Sequence, residues 1–246
     1  MTMLAVPGDL AMTLSRDGTV RVLVEALMLS KIADRVELEN IASNAKASES
    51  FARSVLTPVV GEIGDSYVSL SPRLRIQLAL EVARAGRLGD AARVLTWQEF
   101  ENFAEECLEE AGFEAERNVR VKGEGRAWQI DVVGFRGELV LAIDCKHWNT
   151  PSYLSRFRPA ADHQRHAASH LLATLNEKTI EGRKGRQALA VILTLREPPA
   201  QLSENTILVS VEKLPSFLGD VTPYDENLPF ITSPHAVVEN PMSQSN

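Results

Sequence analysis

Residues 96–148 read TWQEFENFAEECLEEAGFEAERNVRVKGEGRAWQIDVVGFRGELVLAIDCKHW, and the predicted fold is organised around this stretch. Its first part is predicted to be a helix, because apolar side chains recur at helical spacing. These side chains are Trp97, Phe100, Phe103, Ala104, Cys107, Leu108 and Ala111. Thr96 is placed to cap this helix with Glu99 as its capping-box partner, and Gly112 is placed to end it.

The glutamates of this helix differ in the direction in which they are expected to point. Glu101 sits just past one edge of the apolar stripe, and Glu110 is similarly placed. Glu105, Glu106 and Glu109 point further away. Most helical glutamates simply face solvent, but Glu101 is positioned to lean over whatever the stripe packs on.

Two strands are predicted after the helix, at residues 127–135 and 138–148, because both segments are rich in Val, Ile, Leu and Trp. A short turn at residues 136–137 is expected to join them as a hairpin. Side chains alternate between the two faces of a strand, so the exact position of the turn decides which residues meet across the hairpin.

Two acidic side chains and one basic side chain are expected to meet on one face of this hairpin. Asp144 and Lys146 share a face, and the expected turn places Asp131 opposite Ala142, one diagonal step from Asp144. Burial of such charges without partners costs several kcal/mol. Either a salt-bridged triad or a hard cation with oxygen ligands satisfies them, and the cation accounts for two acids with one base.

Three short motifs in this stretch resemble those of the PD-(D/E)XK nuclease superfamily, in its Mrr-like and archaeal Holliday-junction-resolvase-like branch. FE at residues 100–101, followed by AGF at 111–113, resembles the first-helix motif. IDVVG at 130–134 resembles the first metal-binding motif, with Ile130 where the superfamily's name has proline. IDCK at 143–146 resembles the D/E-X-K motif, with Asp instead of the more frequent Glu.

The resemblance implies an α/β fold, a restriction-endonuclease-like mixed sheet flanked by helices, and a metal-dependent DNA endonuclease activity. It implies that Asp131, Asp144 and the main-chain carbonyl of Cys145 hold Mg²⁺ or Mn²⁺. Glu101 is expected to complete the metal shell, directly or through water. DNA is the implied partner, and a homodimer is expected because cleavage of two strands usually needs two sites.

Two further residues are assigned roles by the same resemblance. Lys146 is expected to orient the attacking water or to stabilise charge on the phosphate, and Gln164 is expected to support the site from the next helix. The nearby residues His163, His166 and His170 have no Cys or Glu beside them to complete a tetrahedral set, so they are not expected to hold zinc.

The preceding part of the chain, residues 1–93, is expected to form a separate and mostly α-helical domain. The predicted elements are helices at 19–33, 37–45, 48–60 and 73–85, with a turn and short strand at 61–71 and a connection at 86–94. Their order resembles a winged-helix module. Arg53 is the only basic side chain on the third helix, so base readout by that helix is not expected. The alternative function is a winged-helix DNA-binding or regulatory protein with an inactive nuclease-like domain, because the first domain could bind a partner by itself.

The nuclease-like domain is expected to span residues 94–232, with a flexible tail at 233–246. After Lys146 the predicted elements are a loop at 149–159, a helix at 160–175, strands at 188–195 and 206–211, and a short helix at 212–218. This order fits a sheet flanked by helices.

Composition favours a globular protein of a reducing compartment, expected to be the cytoplasm. Cys107 and Cys145, the only cysteines, fall on apolar faces and are expected to be buried free thiols. The first residues are not expected to form a signal peptide. The longest apolar run, residues 188–195, is expected to be too short to span a membrane.

The formal net charge is −7, but the positive charges are grouped. Residues 97–116 have eight Glu and no Lys or Arg, whereas residues 117–126 have four basic residues and one acidic residue. Residues 146–186 have eight basic and three acidic residues. The basic segments thus flank the predicted site, where a polyanionic substrate would lie.

Overall fold

The structure is a computed structural model, and it divides the chain into two compact units, Met1–Phe103 and Ala104–Asn246. The residues that it describes are 7–148, 154–177 and 187–232. The division falls inside one helix, whereas the sequence places the domain boundary between residues 93 and 94. The domain boundary therefore stays a prediction, and the predicted tail lies outside the described residues.

The first unit is mainly helical. Its elements are α1 (Pro7–Leu29), β1 (Arg35–Glu37), α2 (Leu38–Asn44), α3 (Glu49–Val60), β2 (Tyr67–Ser69), α4 (Pro72–Arg84), α5 (Leu88–Val94) and the first part of α6 (Trp97–Glu110). β1 and β2 form an antiparallel pair. The predicted helices and the short strand are present, and β1 is an addition that a three-residue segment gives no periodicity to predict. The winged-helix interpretation stays a prediction.

Most of the segment at residues 86–94, predicted as the connection between the domains, forms the helix α5. Gly86 does end α4, at a φ of +80° that favours glycine. The next turn then buries Leu88, Ala91 and Ala92, so this segment is a short amphipathic helix.

The predicted ends of α6 are confirmed. The backbone N–H of Glu99 donates to Thr96 Oγ1 at 3.2 Å, and the backbone N–H of Thr96 donates to Glu99 Oε2 at 2.8 Å. These two bonds form a reciprocal capping box. Gly112 has a φ of +81°, and the N–H of Phe113 donates to the carbonyl of Leu108 at 3.0 Å, which closes the helix with a left-handed turn.

The second unit is built on a seven-stranded mixed sheet flanked by helices, so the predicted fold class is confirmed. Its further elements are β3 (Glu114–Gly123), β4 (Arg126–Arg136), β5 (Leu139–Lys146), α7 (Leu154–Glu177), β6 (Gln187–Thr194), β7 (Leu202–Ser203), β8 (Thr206–Ser210), α8 (Leu214–Asp220) and β9 (Ile231–Thr232). The strand order is β3-β4-β5-β6-β8-β7, with β9 on β6. β5, β6 and β8 run parallel, so their carboxyl ends lie at the same edge.

Two predicted boundaries after β5 are wrong. Residues 154–159 belong to α7 and not to a loop, although Pro159 lies within the helix; residues 149–153 lie outside the described residues. The predicted helix at 212–218 is a 3-10 turn at Val211–Lys213 followed by α8. A proline at the start of α8 favours a helix beginning there.

The turn of the β4–β5 hairpin also differs from the prediction by one residue. Arg136 pairs with Leu139, so the two turn residues are Gly137 and Glu138. Gly137 adopts a φ of +60° at the first central position, which is the position that a tight hairpin turn reserves for glycine.

Neither cysteine forms a disulfide, as predicted. Both are partly exposed, however, whereas the sequence predicted that they are buried. Burial, together with the charges of Glu110 and Glu106, raises the pKa of Cys107 to about 12. A thiol with that pKa stays protonated at neutral pH and is a poor nucleophile.

Candidate functional site

The two aspartates meet at the end of the β4–β5 hairpin, although not in the predicted register. Val133, and not Asp131, lies opposite Ala142. The shifted turn moves the pairing by two residues, which preserves the face. Asp131 and Asp144 are consequently the next residues beyond Val132 and Ile143, the last pair of the β4–β5 ladder.

The strand alternation assumed in the prediction is interrupted at Asp131. Four buried residues of β4 belong to the same apolar cluster as α7: Trp128, Ile130, Val133 and Phe135. Trp128 and Ile130 precede Asp131 at even positions, whereas Val133 and Phe135 follow it at odd positions. The face of β4 that packs on α7 therefore changes from even to odd residue numbers at Asp131. On the neighbouring strand, Asn118 has a φ of +56° and is left out of the ladder at the level of Asp131. Sequence reasoning missed Asn118, although Asn tolerates a positive φ better than most residues.

Hydrogen bonds and an ion pair hold the acidic groups in place. Asp131 Oδ2 accepts a hydrogen bond from the backbone N–H of Cys145 at 2.8 Å. Lys146 Nζ lies 2.8 Å from Asp144 Oδ1 and 2.7 Å from Asp144 Oδ2. All four residues are partly buried. The structure therefore brings together Asp131, Asp144, Cys145 and Lys146, which the sequence placed in one site.

The carboxyl group of Asp131 is electrostatically unfavourable when it is ionised. Burial is the main cause, and the charge of Asp144 adds to it, so the pKa of Asp131 rises to about 6. The Cys145 N–H and the Lys146 ammonium act in the opposite direction but do not compensate. Two carboxylates thus share one ammonium, which leaves an excess of negative charge in a partly desolvated place.

This donor set fits a hard divalent cation. The positive charge of such an ion between the two carboxylates would relieve the repulsion that raises the pKa of Asp131. Within the described ranges, no group of three or more His, Cys, Asp or Glu side chains is spaced to hold a metal ion. Any shell built on Asp131 and Asp144 therefore needs further oxygen ligands, such as water or substrate phosphate.

Gln164 and Glu101, the other two predicted site residues, are both buried. Gln164 on α7 is 1% exposed, and its Nε2 donates to the carbonyl of Ala142 at 2.8 Å. It therefore ties α7 to β5 two residues before Asp144. Glu101 on α6 is 6% exposed and is not on a solvated face. Its part in the site stays a prediction.

Asp131→Asn is expected to stabilise the metal-free protein at pH 8 and to have little effect at pH 4. A raised pKa means that the folded state favours the protonated acid. Ionisation of Asp131 therefore lowers the free energy of unfolding as pH rises from 3.8 to about 6. Asn removes the charge and keeps an oxygen that accepts from Cys145. The thermal midpoint in EDTA at both pH values measures this, with the exposed Asp220→Asn as the control. A lower midpoint at pH 8 would contradict it.

The fold and the site together define a class of protein. A mixed sheet flanked by helices carries an aspartate pair and a lysine on two neighbouring strands, where the ladder between those strands ends. This arrangement is that of a restriction-endonuclease-like domain. Residues 92–194 match the family model Mrr_cat, described as restriction endonuclease. The match covers the three motifs and agrees with the family that they resemble.

Two solved structures resemble the chain at a low level. One, a protein of unknown function called AF1548, shares 25% identity with a TM-score of 0.29 over 50% of this chain. The other, VC1899 from Vibrio cholerae, shares 12% identity with a TM-score of 0.34 over 83% of this chain. This chain spans 55% of each of those proteins. At such TM-scores neither likeness supports a conclusion about fold or function.

A search of curated proteins found no match to the chain. In the part of the chain that the structure describes, no helix has both the length and the apolar character needed to cross a membrane.

Proposed function

We propose that this protein is a DNA endonuclease that hydrolyses phosphodiester bonds with the help of Mg²⁺ or Mn²⁺. The observation that carries the proposal is the meeting of Asp131, Asp144 and Lys146 at one end of the hairpin, in a domain that matches the restriction endonuclease family. We further propose that the protein acts in the cytoplasm, and as a homodimer if it cuts both strands.

Asp131, Asp144 and the main-chain carbonyl of Cys145 would hold the metal ion, with Glu101 as a further ligand directly or through water. When bound, such an ion polarises the scissile phosphate and lowers the pKa of a bound water. The protein contributes a rigid arrangement: the N–H of Cys145 fixes the Asp131 carboxylate, and Gln164 fixes the strand from the side of α7. Pre-organised groups need no rearrangement at the moment of reaction.

Lys146 has a separate role in this proposal. Its side chain is partly exposed and its Nζ lies against the Asp144 carboxylate, so in this proposal it would meet the water and the phosphate beside the two carboxylates. From there it donates hydrogen bonds to the attacking water or to the phosphate oxygens as negative charge accumulates on them. Attack by water in line with the leaving oxygen yields a cut strand, and the family resemblance implies a 5′-phosphate end.

The alternative, a DNA-binding or regulatory protein without nuclease activity, would rely on the first unit. Arg53 is the only basic side chain on α3, and its guanidinium donates to the backbone oxygens of Ile63, Gly64 and Asp65 at 3.1, 3.1 and 2.8 Å. A side chain used to fix the following loop is not free to read bases. This observation favours the nuclease.

The test is cleavage of labelled duplex, single-stranded and branched DNA by the full-length protein, with Mg²⁺, with Mn²⁺ or with EDTA. We expect cleavage of at least one substrate only with metal, and 5′-phosphate ends that a ligase can seal. The salt concentration must be fixed, because phosphate contacts are salt-sensitive. Absence of both cleavage and Mn²⁺ binding by calorimetry would favour the alternative.

A further inference from the structure

The β3–β4 hairpin continues well past the strand that holds Asp144. β3 and β4 pair as far as Gly123 and Arg126 at the tip, whereas β5 pairs with β4 only from Val132 to Arg136. Residues 118–131 therefore form a two-stranded ribbon that projects from the sheet. We call this segment the ribbon.

One face of the ribbon is fixed to α7. Its inward side chains are Val119, Val121, Trp128 and Ile130, and they share an apolar cluster with α7. The Trp128 ring lies between 4.9 and 5.8 Å, centroid to centroid, from the rings of His163, His166 and His170. At Gly123 the contact is so close that a Cβ atom would lie 2.2 Å from His170 Nδ1. The ribbon is consequently a rigid extension of the domain.

The opposite face of the ribbon is exposed, polar and basic. Its outward residues are Asn118, Arg120, Lys122, Ala127 and Gln129, all of them exposed. Among the described residues, neither Arg120 nor Lys122 forms an ion pair. The nearest acidic groups along the ribbon are Glu116 and Asp131 at its base and Glu124 at its tip. Glu124 Oε1 lies 3.9 Å from His170 Nε2 on the α7 side. Two unpaired cations on a rigid surface are notable in a protein of net charge −7.

We propose that this outward face of the ribbon binds the major groove of duplex DNA beside the bond that is cut. The proposal rests on the nuclease function proposed above. The major groove of undistorted B-DNA admits a two-stranded β-ribbon, whereas the minor groove is only about 6 Å wide and has to be deformed before a ribbon can enter it. Arg and Lys are the side chains that bind guanine or phosphate, and Asn and Gln are those that bind adenine. Gln129 donates to Asn118 at 3.2 Å, which orients both amides on this face.

The position of the ribbon relative to Asp131 gives the expected contact region. Gln129 and its partner Arg120 lie two residues beyond Asp131, and Lys122 lies four residues beyond it. At about 3.3 Å per strand residue, these side chains lie roughly 7 and 13 Å along the ribbon. With about 3.4 Å per base pair, the contacts fall roughly two to four base pairs to one side of the cut.

Helix α7 couples this contact region to the catalytic strand. The same helix packs on the ribbon through its histidines and holds the carbonyl of Ala142 through Gln164. Ribbon and site therefore keep a fixed distance, and binding of the ribbon places one defined phosphate at the aspartates.

The test measures binding and not cleavage. Fluorescence anisotropy of a labelled 30-base-pair duplex in EDTA gives the Kd of the full-length protein and its dependence on salt. We expect Arg120→Gln with Lys122→Gln to raise Kd roughly tenfold or more and to lower the salt slope by about 2. Arg117→Gln is the matched control, because it removes one charge from the same strand but its guanidinium already pairs with Glu105 at 2.5 Å.

The two proposals fail in different ways. If the double variant binds duplex DNA as the wild type does, or no more weakly than the control, the ribbon proposal is overturned even where metal-dependent cleavage is observed. If the double variant binds more weakly but the wild type never cleaves, the nuclease proposal fails, and only the binding of duplex DNA by the ribbon is retained. Equal losses for single-stranded and duplex DNA would overturn the assignment to the major groove.

Discussion

Asp144→Asn is expected to lower the rate of DNA cleavage by on the order of 10³-fold at saturating metal. Asn has nearly the shape of Asp but lacks the charge, so the fold is retained while the site loses half of its negative charge. The substitution also removes the partner that holds the Lys146 ammonium at 2.7 Å. Single-turnover cleavage of an end-labelled duplex measures the chemical step without the contribution of product release.

Lys146→Met is expected to be less severe, with a loss on the order of 10²-fold, because it removes one donor and leaves both carboxylates in place. Double variants of Asp131, Asp144 and Lys146 should be little worse than the worst single variant, because residues that act as one unit are not additive. Asp220→Asn, which removes an exposed carboxylate on α8, serves as the control for charge and is expected to cleave at the normal rate.

These variants also separate a catalytic site from a structural ion cluster. If the aspartates and the lysine only stabilise the fold, Asp144→Asn will cleave DNA at the wild-type rate. Replacement of all three residues by apolar side chains will then leave the protein equally stable or more stable. Normal cleavage by Asp144→Asn and Lys146→Met would therefore remove both residues from the mechanism.

Local signals made part of this fold predictable from the sequence. The ends of α6 follow from residues that lie within a few positions of each other, since Thr96, Glu99 and Gly112 meet capping requirements of the backbone that surrounds them. The hairpin strands follow from apolar composition. The site was predictable to the extent that three motifs fall on these elements in the order of a known family.

Features that depend on a neighbouring strand or on a tight turn were not predictable. Glycine at position 137 fits either of two turn positions, and only the structure distinguishes Arg136–Gly137 from Gly137–Glu138. The interrupted alternation at Asp131 is accompanied by the left-handed conformation of Asn118, thirteen residues earlier. The predicted meeting of Asp131 and Asp144 survives because a shift of two residues returns the side chain to the same face.

The buried ion pair between Arg75 and Glu99 in the first unit was not predicted either, because it joins two elements that are distant in the sequence. Arg75 on α4 looks like an ordinary residue of an amphipathic helix, and Glu99 has a sufficient local role as the capping residue of α6. In the structure Arg75 is 4% exposed, and its Nε lies 2.5 Å from Glu99 Oε1. The other guanidinium nitrogens donate to Ser30 Oγ and to the carbonyls of Leu27 and Val94.

Arg75→Met is expected to destabilise the first unit by about 3–5 kcal/mol. Met fills much of the volume, but it leaves the Glu99 carboxylate buried without a counter-charge. It also leaves the carbonyls that accepted from Arg75 without these hydrogen bonds. Urea unfolding followed by far-UV circular dichroism measures the loss. The exposed Arg84→Met on the same helix is the control, and its pair with Glu81 is expected to contribute less than about 1 kcal/mol.

The dependence of this loss on pH identifies its cause. Burial opposes ionisation of Glu99, but its bonds to Arg75 and Thr96 prevail and hold its pKa below the ordinary value of 4.5. An acid whose pKa is lowered by folding stabilises the folded state at pH values above its ordinary pKa. This stabilisation is lost as pH falls through the lower pKa of the folded state. The difference between wild type and Arg75→Met should therefore narrow below pH 4.5.

A second change, Glu99→Met, should recover part of the stability at neutral pH, because no buried charge remains unpaired. A difference that is constant with pH and is not reduced by the second change would show that Arg75 acts through packing alone.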